Sequence, residues 1–246
     1  MLGFFSKKIY LADYLEDFVD IHNHVLPGID DGAKNTADSL ALIRAYQSVG
    51  IKKIIATPHI FAPLYPNTPE LIQDAHERLL LAMQEEGIDS FEIETAAEHM
   101  IDTKFEELME NDHHMPLSGG YMLSEMSFLQ PPLNFDEAMI AINRRRLTPI
   151  LAHPERYVFL QRRPKKLIKL KEQGILFQIN LLSLAGYYDK EVEQLAWKLL
   201  DQGMVDFLGS DIHNMHHFKA IKELTLKPKR LEQLLPLIGK SIEVFY

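Results

Sequence analysis

The sequence predicts one α/β domain whose parallel strands curl into a barrel. Three observations carry that expectation. Short apolar runs of β type alternate with longer amphipathic runs along the chain, the pattern of βα units. Caps and glycine stops bracket the helical runs. Imidazoles and carboxylates recur just past the strands, where a barrel carries its chemistry. The Gly-rich phosphate turn that would favour an open doubly wound sheet is missing from the sequence.

In chain order, residues 1–17 read as an N-terminal extension and 18–246 as the barrel. Strand one, 18–21, runs into Asp20-Ile21-His22-Asn23-His24, and Pro27, Gly28 and Gly32 make a tight loop after it. Asn35 caps a helix over 36–49, stopped by Gly50. Strand two, 53–57, leads to His59. Thr68 and Pro69 open a helix to residue 86. Strand three, 91–97, is followed by Glu98, and a short helix over 104–110 precedes strand four, 121–124, with Glu125 at its end. A helix over 134–145 leads to strand five, 148–152, and His153. A helix from Pro164 to about residue 173 precedes strand six, 175–180. A helix over 189–202 precedes strand seven, 206–210, with Asp211 and His213 just beyond. One or two further helices and a strand-like 242–245 complete seven βα-type units.

Composition removes several classes of function. There are no cysteines, so disulfides, thiolate metal sites, iron–sulfur clusters and a cysteine nucleophile are excluded. A net charge of −9 argues against free nucleic acid, whose phosphates need clustered cations. The basic run Arg144-Arg145-Arg146 reads as a solvated helix end. No apolar run reaches the roughly 18 residues of a membrane span, and residues 1–8 lack a signal-peptide core, so a cytoplasmic protein is expected. Phe4 and Phe5 beside Lys7 and Lys8 could touch a membrane or partner; a frayed end or a strap across the barrel is the plainer reading.

The strand ends hold the chemistry. Residues i and i+2 of an extended segment face the same way, so His22 and His24 converge, as do Asp211 and His213. With Asp31, His59, Glu98, Glu125 and His153 they make nine candidate ligands, more than one ion accepts, so two or three metals sharing carboxylates are expected. Any one of these residues alone could simply cap a strand; together, at six of seven strand ends, they point to a metal centre. His76, His99, His113, His114, His216 and His217 read as surface or capping residues.

These motifs resemble a known family. His22-Asn23-His24 with Asp30-Asp31-Gly32, Thr57-Pro58-His59, Ala97-Glu98, His153-Pro154-Glu155-Arg156-Tyr157 and Gly209-Ser210-Asp211-Ile212-His213-Asn214 look like the polymerase and histidinol phosphatase (PHP) superfamily. Within it they look most like the metal-dependent protein-tyrosine phosphatases of bacterial capsular and exopolysaccharide systems. The resemblance spans about residues 18–215. It implies a distorted (β/α)7 barrel with three divalent ions, manganese foremost, with iron or zinc as alternatives. It implies that His22, His24, Glu98 and Asp211 hold one ion, that Glu98 bridges to a second held by Glu125 and His153, and that Asp31, His59 and His213 hold the third. Asp30 could replace Asp31. Arg156 would face the substrate phosphate, in keeping with the bidentate grip of a guanidinium on two oxygens. A second arginine often follows the Asp-x-His-Asn motif in relatives. Here Lys219, His216 or His217 would have to serve.

The implied reaction is phosphomonoester hydrolysis without a covalent phosphoenzyme. The substrate would be phosphotyrosine on a protein, by resemblance the tail of a bacterial tyrosine kinase controlling polysaccharide export. The alternatives are a small-molecule phosphatase of the histidinol-phosphatase type, a PHP accessory domain of DNA synthesis, and an inactive scaffold.

Overall fold

A computed structural model describes residues 8–246. The readings made for Phe4, Phe5 and Lys7 lie outside those residues. The chain begins with β1 (Ile9–Tyr10) and a helical turn at Leu11–Tyr14, and continues through α1 (Thr36–Gln47), β2 (Lys53–Ala56), β3 (His59–Ile60) and α2 (Pro69–Glu85). Next come β4 (Glu92–Thr95), β5 (Glu98–Met100), α3 (Phe105–Glu110), β6 (Tyr121–Glu125), α4 (Phe135–Arg144) and β7 (Thr148–Ala152). Then follow α5 (Val158–Gln161), α6 (Lys165–Glu172), β8 (Leu176–Asn180), α7 (Leu181–Leu184) and α8 (Lys190–Asp201). The last elements are β9 (Phe207–Gly209), α9 (Met215–Glu223), β10 (Thr225–Leu226) and α10 (Pro228–Phe245).

The principal sheet is parallel throughout, in the order β3-β5-β6-β7-β8-β9, and β2 pairs with β4 in parallel. Strands two and three are each split. Pro58 has no N–H to continue a ladder, so β2 stops and pairing resumes at β3, while β4 resumes as β5 after Ala96 and Ala97. The first strand is reduced to single bridges at Asp20 and Asn23. Those bridges reach both ways. The Ile55 and Thr57 amides donate to the Asp20 and Asn23 carbonyls (each 2.9 Å), and the His24 and Asp211 amides tie residues 22–24 to 211–212 (2.9 and 2.7 Å).

Two apolar layers result. Helices bury one face against the outside of the sheet, as α8 does with Val192, Leu195, Ala196 and Leu199 at helical spacing. Inside, Ile21, Ile55, Leu123, Ile150 and Phe207 meet from different strands, with Phe245 of α10 against them. Residues 242–245, expected as strand-like, are the last turn of that helix; their β-branched content yields to the packing of its apolar face. Segment 9–15 packs on the C-terminal region: β1 pairs antiparallel with β10, and Leu11 and Leu15 are buried. Arg144 lies in the last turn of α4 and Arg145 caps it, as expected of a helix end.

Gly209 lets β9 approach the site. A Cβ there would lie 2.7 Å from both the His22 Cβ and the Gln178 amide nitrogen. Gly209→Ala should therefore destabilise the fold by about 1–3 kcal/mol through overpacking, read as a lower denaturant midpoint at unchanged slope.

Candidate active site

All nine sequence-predicted ligands converge at the carboxyl ends of the strands. His22, His24, Glu98, Glu125, His153 and Asp211 are buried, His59 and His213 nearly so, and Asp31 is half exposed. The imidazoles of His22 and His24 stand 5.5 Å apart and those of His24 and His213 stack at 4.0 Å. Four overlapping groups bring their ligand atoms within 4.8 Å of one another: His24, Asp31, His59 and His213; His22, His24 and Asp211; His22, Glu98 and His153; and His59, Glu98 and Glu125.

These distances group the side chains differently from the sequence-based assignment in three places. His24 joins the Asp31 group as well as the Asp211 group. His59 reaches Glu98 and Glu125 at 3.0 and 2.9 Å through Nδ1 while its Nε2 faces Asp31 at 3.4 Å. His153 lies at 3.0 Å from Glu98 but 3.9 Å from Glu125. The ambiguity between adjacent aspartates is also resolved. Asp31 points inward, 3.4 Å from both His59 and His213. Asp30 instead accepts the His24 Nδ1–H at 2.8 Å and the Gly32 and His59 amides.

The supporting shell is specific. The His22 Nδ1–H donates to Gln178 Oε1 at 2.7 Å, and the His213 Nδ1–H to the Asp211 carbonyl at 3.0 Å. With Asp30 on His24, these bonds hold three rings with Nε2 turned inward, the arrangement that orients imidazole ligands in metalloproteins. Gln178 and Asn180 lie on strand six, the strand without a predicted ligand; Asn180 donates to Asp211 at 2.6 Å. Sequence reasoning missed both, because neutral amides carry no metal-binding signal. Behind the rims, Asp20 accepts from Tyr46 O–H (2.6 Å), the Ser210 amide (2.9 Å) and hydroxyl, and the His22 amide (3.2 Å). It pins the first histidine segment to the last strand end.

Two ligand candidates hold strained backbone. His153 has φ 37° and Asp211 φ 54°, a left-handed region that non-glycine residues enter at a cost of about 1–3 kcal/mol. Such cost persists where surrounding contacts overdetermine the conformation, and it aims both side chains at the cluster.

The electrostatics are those of buried carboxylates seeking positive charge. Burial alone would raise Asp211 and Glu98, but the His22 ring and its neighbours hold both well below the usual carboxylate range. Conversely, burial opposes protonation of His24, yet Asp30 lifts it to about 10. Even so, the His22 and His24 Nε2, His59 Nδ1 and Glu98 Oε2 atoms are buried without a hydrogen-bond partner. Orphaned nitrogen and oxygen donors aimed at one another are what a divalent cation satisfies, and a donor set of imidazole and carboxylate suits manganese, iron or zinc.

Arg156 donates to Asp211 Oδ2 at 2.7 Å, not to Glu155, which is buried and accepts from Asn180 and Ser183. Its guanidinium lies 4.4 Å from the Phe128 ring centre and 4.2 Å from that of Tyr188. It borders a cavity of about 390 Å³ that also exposes Asp31, His59, Glu98, Tyr65 and His217. Of the three residues considered for a second phosphate contact, His217 lines this cavity, whereas Lys219 sits 3.8 Å from Glu223 on α9 with its side chain mostly exposed. His99, read as a surface or capping residue, is fully buried. It donates to the Leu123 carbonyl and accepts from the Met115 amide, and burial brings its pKa down to about 4.

Imidazoles and carboxylates gathered at the carboxyl end of a parallel α/β sheet, beside an arginine and a polar cavity, define a class: the metallohydrolase type of α/β architecture. Within it, the chain belongs to the capsular polysaccharide synthesis, CpsB/CapC, family, whose model matches residues 18–223. It is 31% identical over 221 residues to tyrosine-protein phosphatase YwqE of Bacillus subtilis, covering 89% of this chain and 87% of that protein. It is 25% identical over 229 residues to tyrosine-protein phosphatase CpsB of Streptococcus pneumoniae, covering 91% and 90%. A chain from the crystal structures of YwqE and CpsB, described as unique metal-dependent tyrosine phosphatases, superposes with a TM-score of 0.76 at 29% identity, covering 90% of this chain and 94% of that one. Among the described residues no helix is long and apolar enough to cross a membrane.

Asp20→Ala would leave two hydroxyls and two amides without their buried acceptor. It should cost roughly 3 kcal/mol or more, measured by urea denaturation.

Proposed function

We propose that this protein is a metal-dependent protein-tyrosine phosphatase built on a distorted (β/α)7 barrel, with residues 20–24 as its irregular first strand. One observation carries the reading. Inward-facing imidazole and carboxylate atoms without partners stand beside Arg156 at the floor of an open cavity. The ligands are His22, His24, Asp31, His59, Glu98, Glu125, His153, Asp211 and His213. They would hold three divalent ions, manganese foremost, with iron or zinc as alternatives; the four overlapping donor groups support a centre of more than one ion. Bound there, such ions would offset the charge of phosphate oxygens and lower the pKa of a water toward neutrality.

The chain's own residues do the rest. Gln178, Asp30 and the Asp211 carbonyl fix the His22, His24 and His213 rings, so little reorganisation accompanies the reaction. Arg156 keeps one N–H on Asp211 and presents its remaining donors to two phosphate oxygens as charge spreads over them. Phe128 and Tyr188 hold its plane. A tyrosine leaving group, with a pKa of about 10, departs without a strong general acid. The reaction is direct hydrolysis, without a covalent phosphoenzyme.

The substrate is phosphotyrosine on a protein, with the tail of a bacterial tyrosine kinase of polysaccharide export as the candidate partner. The family's association with capsule synthesis supports that choice. The proposed location is the cytoplasm, where such a kinase partner would draw on ATP.

Exhaustive chelation should abolish hydrolysis of p-nitrophenyl phosphate, and added manganese should restore it; turnover that persists without metal would overturn the mechanism. Phosphotyrosine should be preferred over phosphoserine and histidinol phosphate in the same assay. Arg156→Ala should lower kcat by about 10²–10³ while elemental analysis shows the metal content retained.

A further inference from the structure

The loop that follows Glu125 has an unusual surface. In residues 127–134, Phe128, Leu129 and Leu133 are exposed, Leu133 completely, and Pro131 and Pro132 lie between them. Exposed apolar residues scattered singly need no explanation, but a contiguous group beside a polar site marks an interaction surface. This loop forms one wall of an apolar groove of about 960 Å³ whose other wall comes from Phe61, Pro63 and Ile101.

The groove is not a separate feature of the surface. Phe61, Met100 and Phe128 line both it and the cavity that holds Arg156, so the two spaces are neighbours that share these three side chains. The groove is also preformed. The Val158 amide donates to the Phe128 carbonyl at 3.0 Å, and the Asn134 amide donates to the Asp102 carbonyl at 2.7 Å and to Glu106 at 2.9 Å. Two prolines stiffen the span between those anchors. A fixed wall loses little conformational entropy when a partner docks.

We infer that this groove receives the polypeptide flanking the phosphotyrosine, and that it selects apolar residues beside the phosphorylated position. The inference rests on the proposed phosphatase reading. With the phosphate at Arg156 and the ring in the cavity, the adjoining backbone emerges at the mouth, where the groove begins. Its apolar lining offers an extended substrate side-chain burial rather than charge pairing. A small aryl phosphate fills the cavity alone and leaves the groove empty, so the two substrates report on the two spaces separately.

The test compares p-nitrophenyl phosphate, a phosphotyrosyl peptide flanked by alanines and one flanked by leucines, on the metal-loaded wild-type protein and on Leu133→Asp. Leu133 is fully exposed, so its replacement spares the core. In the wild type the leucine-flanked peptide should have about tenfold the kcat/KM of the alanine-flanked one, through KM. Leu133→Asp should remove that advantage and leave p-nitrophenyl phosphate turnover unchanged. Equal kcat/KM for the two peptides in the wild type, or an equal loss on all three substrates in the variant, overturns the groove. Failure to hydrolyse either peptide while p-nitrophenyl phosphate is turned over instead sinks the protein-phosphatase reading, and the groove assignment falls with it.

Discussion

Buried negative charge is the constraint to which the rest of the structure answers. Asp30, Glu98, Glu125 and Asp211 have side chains at most 4% exposed, and Asp31 stands at their edge. An isolated carboxylate moved into a low-dielectric interior becomes protonated instead of staying charged. Asp30, Glu98 and Asp211 are held below the usual carboxylate range because imidazoles, and at Asp211 one guanidinium, face them. The pKa values of His22, His24 and His59, in turn, are raised by those carboxylates against the pull of burial. Cations entering such a site would take the place of the protons on those rings, and metal binding would then release protons.

Holding such a cluster in register demands stiffness at both ends of the sheet order. The first histidine segment cannot be an ordinary strand, because its side chains must leave the inner apolar layer within two residues. Ile21 belongs to that layer and His22 to the polar rim. Asp20 supplies the stiffness by accepting from Tyr46 on α1 and Ser210 beside β9, so three distant parts of the chain meet at one carboxyl group. Gly209 and Gly32 permit the approach. A Cβ on Gly32 would fall 2.1 Å from the His24 carbonyl oxygen. The left-handed backbone at His153 and Asp211 is the local strain that this tight closure imposes.

The candidate ligands were legible in the sequence because His, Asp and Glu at strand ends have few purely structural uses at that density. The parallel βα order was legible because helix caps and glycine stops are local chemistry. Asn35 does accept from Asp38 N–H, and Gly50 has φ 83°. What stayed hidden depends on contacts remote in sequence. Nothing local distinguishes Asp30 from Asp31; only the placement of His24 and His59 does. His99 looks like another strand-end histidine, yet its partners are a carbonyl and an amide of neighbouring segments. Gln178 and Asn180 have no special pattern. The terminal 242–245 run has strand-like residues, but an apolar face shared with Leu231, Leu234 and Ile238 keeps it helical. In each case tertiary packing outweighs local preference.

Arg156 shows how the two halves of the site are joined. Its partner, Asp211, also lies 3.6 Å from His22 Nε2 and 3.5 Å from His24 Nε2, so one carboxylate faces both the imidazole rim and the guanidinium. Asn180 and Tyr188 donate to the same Asp211 oxygen as Arg156, fixing the carboxylate plane. A lysine could match the charge but not the geometry, because an ammonium lacks the flat faces that Phe128 and Tyr188 clasp and the fork that spans two oxygens. The aromatic clasp does a second job. Phe128 is shared between the arginine, the cavity and the apolar groove, so the ring that clasps Arg156 also shapes both spaces. On the reading proposed above, recognition of the anion and of its carrier would be coupled through that one ring, on the loop that follows Glu125 at the end of β6.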